Sequence, residues 1–403
     1  MFGIQRRELV ILTLLFLAWR AVLFTVSYTA DSFLAYKPSF PYSQEILAQS
    51  GLPKWLYSWA NFDGVHYITI AERGYMGTGL IQAFFPLYPL AVRVVNVLFD
   101  QTILAAFLLS NAAALVAVCL FFTLVKSTYS TKVAWRSCLL LLLFPTSFYL
   151  GATYNESLFL CFVLGAFLAA YKRSWLVAGI LAGFASATRV VGVFVVLSLV
   201  LGLLLEYHQK YTPGSVQSFI QKWRNILCVV YKREKTTLFW LSLGVVGLFS
   251  YMSYLWIAFG DPLYFQHVQS EFGSGREERV IVLPQTLWRA IKIVFTVPID
   301  IRYSTYLQEL LYTLIFLTVL LVGFTKKFKV PYAWLVCSLL AVLLPTTTGT
   351  LSSMPRYVLV AFPFFVILAQ QELPRYLWVS IYLCSLLLLL SNTLLFIQGY
   401  WVA

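Results

Sequence analysis

Charge is what this chain has least of. Only 11% of its 403 residues are Asp, Glu, Lys or Arg, less than half the roughly 25% that a soluble domain carries. A water-soluble globular fold is therefore excluded. Cysteine is equally uninformative as a staple. Of Cys119, Cys138, Cys161, Cys228, Cys337 and Cys384, all but Cys228 lie inside apolar runs, and no two have metal-ligand spacing. That excludes a disulfide framework or a zinc site. Heptads, solenoid periods and low-complexity tracts are absent, as is a soluble domain of useful size. No small-residue cleavage site follows the first apolar run, so that run reads as a retained span.

What is there is apolar: 60% hydrophobic residues and a mean hydropathy of +0.80. The expected fold is all-α and polytopic, one integral membrane domain over residues 1–403. A net charge of +13 would suggest nucleic acid on a soluble protein. Here the basic residues sit in short loops between apolar runs, so the positive-inside rule accounts for them.

Runs of about 20 apolar residues, fewer where protein shields them, predict about 11 spans. They cover residues 8–28, 103–125, 136–151, 155–171, 175–189, 190–206, 238–259, 306–325, 331–348, 356–371 and 376–397. Three connections are long: residues 29–102, 207–236 and 260–305. Arg6 and Arg7 hold the N-terminus in the cytosol. Lys126, Lys132 and Arg136, the basic 207–236 loop, and Lys326, Lys327 and Lys329 then fall on the same side. Residues 83–99 are apolar but short and carry Pro86, Pro89 and Arg93. A full crossing there would invert the basic loops, so a re-entrant or interfacial helix is expected.

Against this background one stretch stands out, WANFDGVHYITIAERGYMGTGLIQAFFPLYP from Trp59 to Pro89. Asp63, His66, Glu72 and Arg73 crowd together there, a costly density beside a bilayer unless it forms a polar site. Tyr75 lies just beyond. The external side also receives Asp31, Tyr154, Asn155, Glu156, Arg189, Asp261, Gln269, Glu271 and Arg356. Asp63, flanked by Trp59 and Phe62, reads either as a general base whose proton affinity burial raises or as an N-cap for the helix beginning near Val65. Asp63 and His66, with Glu72, could also ligate a divalent metal. Glu156 opens a span, where the helix dipole alone favours an acid, or it contacts substrate. Arg189 and Arg356 sit at span ends. There they either snorkel to headgroups or fork onto a phosphate. Asp261-Pro262 also suits a simple turn.

The string FDGVHYITIAERGY followed by AFFPLYPL resembles the eukaryotic mannosyltransferase family that adds the second mannose to GPI anchors, with its prokaryotic relatives. LLFPTSFYLGATYNESLF, GFASATRVVGV, FGDPLYFQHVQSEFG and MPRYVLVAFPFF are similar to further elements of that family, in the same order. The resemblance implies a C-type membrane glycosyltransferase fold and a polyprenyl- or dolichyl-phosphate sugar donor. It also implies a catalytic Asp in the first external loop, matching Asp63. The family usually has Trp directly before that Asp, where this chain has Phe62, and its long lumenal insert has only a short counterpart at 260–303. The acceptor is thus open among glycan, lipid and protein.

The expected function is inverting transfer of a hexose, mannose first, at the extracytoplasmic face. Asp63 would be the base, Arg189 and Arg356 the phosphate ligands, and His66, Glu72, Tyr75, Tyr154, Glu156, Asp261 and Gln269 supporting groups. The membrane is the plasma membrane in a prokaryote, the endoplasmic reticulum in a eukaryote. A transporter is the rival, with the charged residues lining a path. Against it, the halves show no internal repeat and the charges lie at span ends rather than at midplane. A non-catalytic scaffold would have no need of the polar loop.

Overall fold

The structure is a computed structural model and describes residues 4–75, 80–211, 219–272, 275–325 and 327–402. Residues 76–79, 212–218, 273–274 and 326 of the expected loops and basic clusters lie outside the described residues. Among the described residues every regular element is helical. Six helices among the described residues are long and apolar enough to cross a bilayer. We call the first of these, Arg6–Thr29, α1. Its length follows from an unbroken run of good helix formers, closed at the N-terminus by reciprocal bonds between Gln5 and Glu8. Then come the short α2, Asp63–Arg73, and α3, Leu87–Asn96. The second long helix is α4, Thr102–Thr128, followed by α5, Thr131–Leu142, α6, Glu156–Tyr171, and α7, Trp175–Thr188.

The remaining long helices are α8, Val193–Tyr211, α10, Lys235–Phe259, α12, Ile301–Gly323, and α16, Arg375–Ile397. Between them lie the amphipathic α9, Phe219–Arg233, and α11, Leu283–Thr296. The 15-residue α13, Tyr332–Thr346, and the paired α14, Met354–Val360, and α15, Pro363–Ala369, complete the bundle.

Two expected spans are not continuous helices. Residues 136–151 contribute only α5, about 18 Å of helix against a hydrocarbon core of roughly 30 Å. Pro145 cannot continue the helix, and a 3-10 turn at Ser147–Leu150 follows. Residues 356–371 divide into α14 and α15 at Pro363 for the same reason. Both breaks are buried in protein, where irregular backbone is tolerated at membrane depth. The segment at 83–99 forms α3, ten residues and about 15 Å long. It packs on the polar loop, where the Arg93 guanidinium donates to the carbonyls of Ala71 at 2.6 Å and Ile70 at 3.2 Å and so caps the end of α2. Leu90, Val94, Val97 and Leu98 face outward.

The surface is that of a protein solvated by lipid. Leu14 and Leu17 on α1, Leu321 on α12 and Leu383 and Leu387 on α16 are all exposed, an apolar belt that water would not sustain. Inside, small residues allow close backbone contact. A Cβ on Gly179 of α7 would lie 1.9 Å from the carbonyl oxygen of Trp240 on α10. The two ends of the bundle differ in chemistry. Lys126 at the end of α4 bonds Glu8 at 2.7 Å, the Tyr171 hydroxyl donates to the carbonyl of Ser127, and Arg173 pairs with Glu206. Helix α6 runs from Glu156 to that basic end, so Glu156 and its neighbours occupy the other one.

Candidate active site

Four breaks in helical structure meet at that other end. The chain enters the first of them strained. Phe62 adopts φ 59°, ψ −118°, a region costly for a bulky side chain, of order 1–3 kcal/mol. The turn is held from three sides. The Tyr154 hydroxyl donates to the carbonyl of Asn61 at 2.7 Å and accepts from the amide of Asp63 at 3.1 Å. The Asn61 amide donates to the carbonyls of Phe396 and Ile397 at the end of α16. The Phe62 ring packs between Phe40 and Trp401, with centroids at 4.6 and 5.3 Å. Strain beside a carboxylate, over-determined by its surroundings, is how functional sites hold an unfavourable backbone.

Asp63 is the first residue of α2. Its carboxylate is not a cap: its Oδ2 accepts from Arg356 Nη1 at 2.7 Å. Arg356 is itself 95% buried, on α14 and beneath the left-handed Ser353 (φ 67°). It also donates through Nε at 3.0 Å and Nη2 at 2.7 Å to Oε1 of Glu156, which is completely buried. The same Oε1 accepts from Arg189 Nη1 at 3.1 Å. Two carboxylates and two guanidinium groups thus form one neutral, bonded unit. The aromatic floor is built by Tyr149 and Tyr154, both 4.8 Å from the Arg356 guanidinium.

Arg189 reaches the unit because α7 ends there. It is extended at φ −152°, ψ 144°, and the chain turns back at Gly192, where a Cβ would approach the Ala185 backbone to 2.3 Å. Asn155 ties this end down by donating to the carbonyl of Thr188 at 3.0 Å. Glu156 Oε2 has no partner, so the two guanidinium groups alone compensate its charge.

The electrostatics correct one expectation. Burial pushes the Asp63 carboxyl up, as the sequence suggests. The Arg356 guanidinium, helped by His66 and Arg276, outweighs it and holds the group below the usual carboxylate range. Burial lowers His66, against a smaller opposing pull from Asp63.

These groups face a polar cavity of about 1070 Å³, lined among others by Asp63, His66, Arg189, Gln269, Arg276 and Arg356. His66 stacks on Phe84 at 5.0 Å and meets Phe272 edge-on at 6.3 Å. It forms a wall with them rather than a metal ligand set. Among the described residues no three His, Cys, Asp or Glu side chains gather as a metal site. A second, apolar cavity of about 680 Å³ lies alongside, lined by Tyr75, Leu87, Leu90, Phe184, Ala187, Val246 and Tyr254. Tyr75 lines that cavity: its hydroxyl donates to the carbonyl of Phe84 at 2.6 Å, and its ring packs on Tyr251.

Other expected residues lie apart. Glu72 is exposed near the far end of α2, about 13 Å along the helix from Asp63. Asp261 caps its own turn through the amide of Leu263 and pairs with His267 at 2.6 Å. Burial and then the His267 bond act on it in opposite directions, and its carboxyl ends below its usual range. Asp31 pairs with Lys54 and accepts from Gln398.

The sequence reading missed two groups that line the cavity. Arg276 comes from the 260–305 loop. Glu309 is buried on α12, and its Oε1 accepts from the amide of Ser353 at 3.0 Å, anchoring the turn that carries Arg356. A lone acid inside an apolar run was a usable signal for Glu309. Arg276 had none, standing in an ordinary charged run.

A family model described as dolichyl-phosphate-mannose-protein mannosyltransferase matches residues 83–217, about a third of the chain. No curated protein sequence matches. Among solved structures, the oligosaccharyltransferase of Archaeoglobus fulgidus tethered with an acceptor peptide aligns over 96% of this chain at 12% identity and a TM-score of 0.45. The same organism's oligosaccharyltransferase AglB, in complex with an inhibitory peptide and a dolichol-phosphate, aligns over 96% at 11% identity and a TM-score of 0.45. The chain spans 55% and 56% of the length of these two structures.

Proposed function

We propose that this chain is a membrane glycosyltransferase of the C-type fold. It transfers a hexose, mannose in the first instance, from a polyprenyl- or dolichyl-phosphate sugar to a glycan, lipid or protein acceptor at the extracytoplasmic face. One observation carries the reading: a half-buried carboxylate, Asp63, shares a cavity with Arg189 and Arg356, and an apolar cavity suited to an isoprenoid chain adjoins it. The mannosyltransferase family match over residues 83–217 supports it.

In this reading the acceptor hydroxyl attacks the anomeric carbon from the side opposite the phosphate. The C–O bond to phosphate breaks with its electron pair, the new glycosidic bond forms with inversion, and the hydroxyl proton passes to Asp63. A carboxylate held low by Arg356 is ionised at every physiological pH but is a weak base. It therefore takes the proton late, once bonding to the electron-poor anomeric carbon has made the hydroxyl acidic. The positive potential of Arg189 and Arg356 opposes the charge growing on the leaving phosphate, usually the largest electrostatic contribution in such a step. Glu156 acts through the arginines, fixing both guanidinium planes.

The test uses purified protein with polyprenyl-phosphate mannose or polyprenyl-phosphate glucose, with and without chelator, and identifies the sugar released from lipid. Asp63→Asn is expected to remain folded and to lose about 10²–10⁴-fold in transfer, roughly 3–5 kcal/mol of barrier. Wild-type turnover in that variant would remove Asp63 from the mechanism. Release of neither sugar would refute the proposed donor.

A further inference from the structure

The bonded unit of Asp63, Glu156, Arg189 and Arg356 is neutral before any donor arrives. Moreover, Arg356 already directs Nε, Nη1 and Nη2 at carboxylates. A phosphodiester entering the cavity brings an additional negative charge that this unit does not balance. In a site of low dielectric an uncompensated charge is expensive, so a further cation has to face it.

The cavity lining offers Arg276, Arg289, Lys292 and Arg302. Arg289 is paired with Glu277. Lys292 and Arg302 are exposed, where water screens them. Arg276 differs on each count. It is half-buried, and its guanidinium lies 5.7 Å from the Phe272 ring. That ring in turn packs against His66 and Phe84, which belong to the wall beside Asp63. Its Nη1 donates to Gln269 Oε1 at 2.8 Å. Gln269 is neutral, so this bond aims the guanidinium without discharging it. Among the described residues no carboxylate lies within ion-pair distance of Arg276. Its field nevertheless reaches Asp63, where it helps hold the carboxyl low.

We infer that Arg276, aimed by Gln269, is a third guanidinium of the site and takes the phosphate of a lipid-linked ligand together with Arg189. This rests on the lipid-phosphate reading above. It gives the 260–305 loop a role in binding, since the loop supplies the cation that the helical bundle leaves out.

The test is equilibrium binding of farnesyl phosphate, farnesol and inorganic phosphate to the full chain in detergent. Wild type should bind farnesyl phosphate more tightly than either of the others. Arg276→Gln should weaken farnesyl phosphate binding about 10- to 100-fold, the loss expected for hydrogen bonds to a charged group, and leave farnesol binding unchanged. Arg276→Lys should recover part of the loss. Gln269→Glu should pair with Arg276 and weaken binding to a similar extent, and it carries the test if Arg276→Gln does not fold. If wild type prefers farnesyl phosphate and both Arg276→Gln and Gln269→Glu bind it normally, the assignment of Arg276 falls and the lipid-phosphate reading stands. If wild type does not distinguish farnesyl phosphate from farnesol, both fall. Inorganic phosphate binding as tightly as farnesyl phosphate would overturn the lipid part of the inference.

Discussion

Replacing Glu156 by Gln preserves shape and removes one charge from the centre of the bonded unit. Its Oε1 accepts from Arg356 at 2.7 and 3.0 Å and from Arg189 at 3.1 Å, with the residue fully buried and its other oxygen unpartnered. After substitution, two guanidinium groups face the single carboxylate of Asp63, and one positive charge is left without compensation. Breaking a buried pair in this way costs about 3–5 kcal/mol. The double variant Glu156→Gln with Arg189→Gln restores one positive to one negative charge. It should therefore be more stable than the sum of the single effects predicts, by about 1–3 kcal/mol of coupling. Thermal unfolding of the four proteins in one detergent, with monodispersity checked by gel filtration, measures both quantities. Wild-type stability of Glu156→Gln, or strict additivity in the double variant, would refute the claim that these charges hold one another.

Other outcomes are also expected. Glu309→Leu removes the acceptor for the Ser353 amide and should cost about 1–3 kcal/mol for a buried unsatisfied donor; transfer activity should fall further than stability does, because the turn aims Arg356. Gly179→Ala drives a methyl group into the Trp240 carbonyl and should destabilise the packing of α7 on α10 by about 1–3 kcal/mol or more, read as a lower unfolding temperature. The Asp63 carboxyl is lower folded than unfolded. Its contribution to stability is thus complete above its ordinary value near 3.8 and is lost as pH falls through the folded value. Between about pH 5 and 8 its ionisation should leave both stability and transfer unchanged. A carboxylate resonance assigned to Asp63 that titrates within that window would contradict the geometry.

Asp63, Arg189 and Arg356 could be placed at one end of the bundle from sequence, because the resemblance and the basic loops together constrain which span ends share a face. Asp63 as a base of raised proton affinity did not follow, because Phe62 and Trp59 are near it in sequence but Arg356 is 293 positions away. Local apolar neighbours suggest desolvation; the distant guanidinium reverses its effect.

Composition and periodicity alone determined that this chain lives in a membrane, that its helices carry it across, and that the polar residues of 59–89 are too costly to be idle. Those properties are sums over local sequence, and a bilayer reads them directly. Which charge meets which was decided only by tertiary structure. Glu156 bridging two arginines, Glu309 holding the turn before Arg356, and Arg276 arriving from a loop depend on where the chain leaves its helices, at Thr188, between Thr346 and Met354, and in the 260–305 loop. An ion pair's energy falls off over a few ångströms, and only the packed bundle sets separations on that scale.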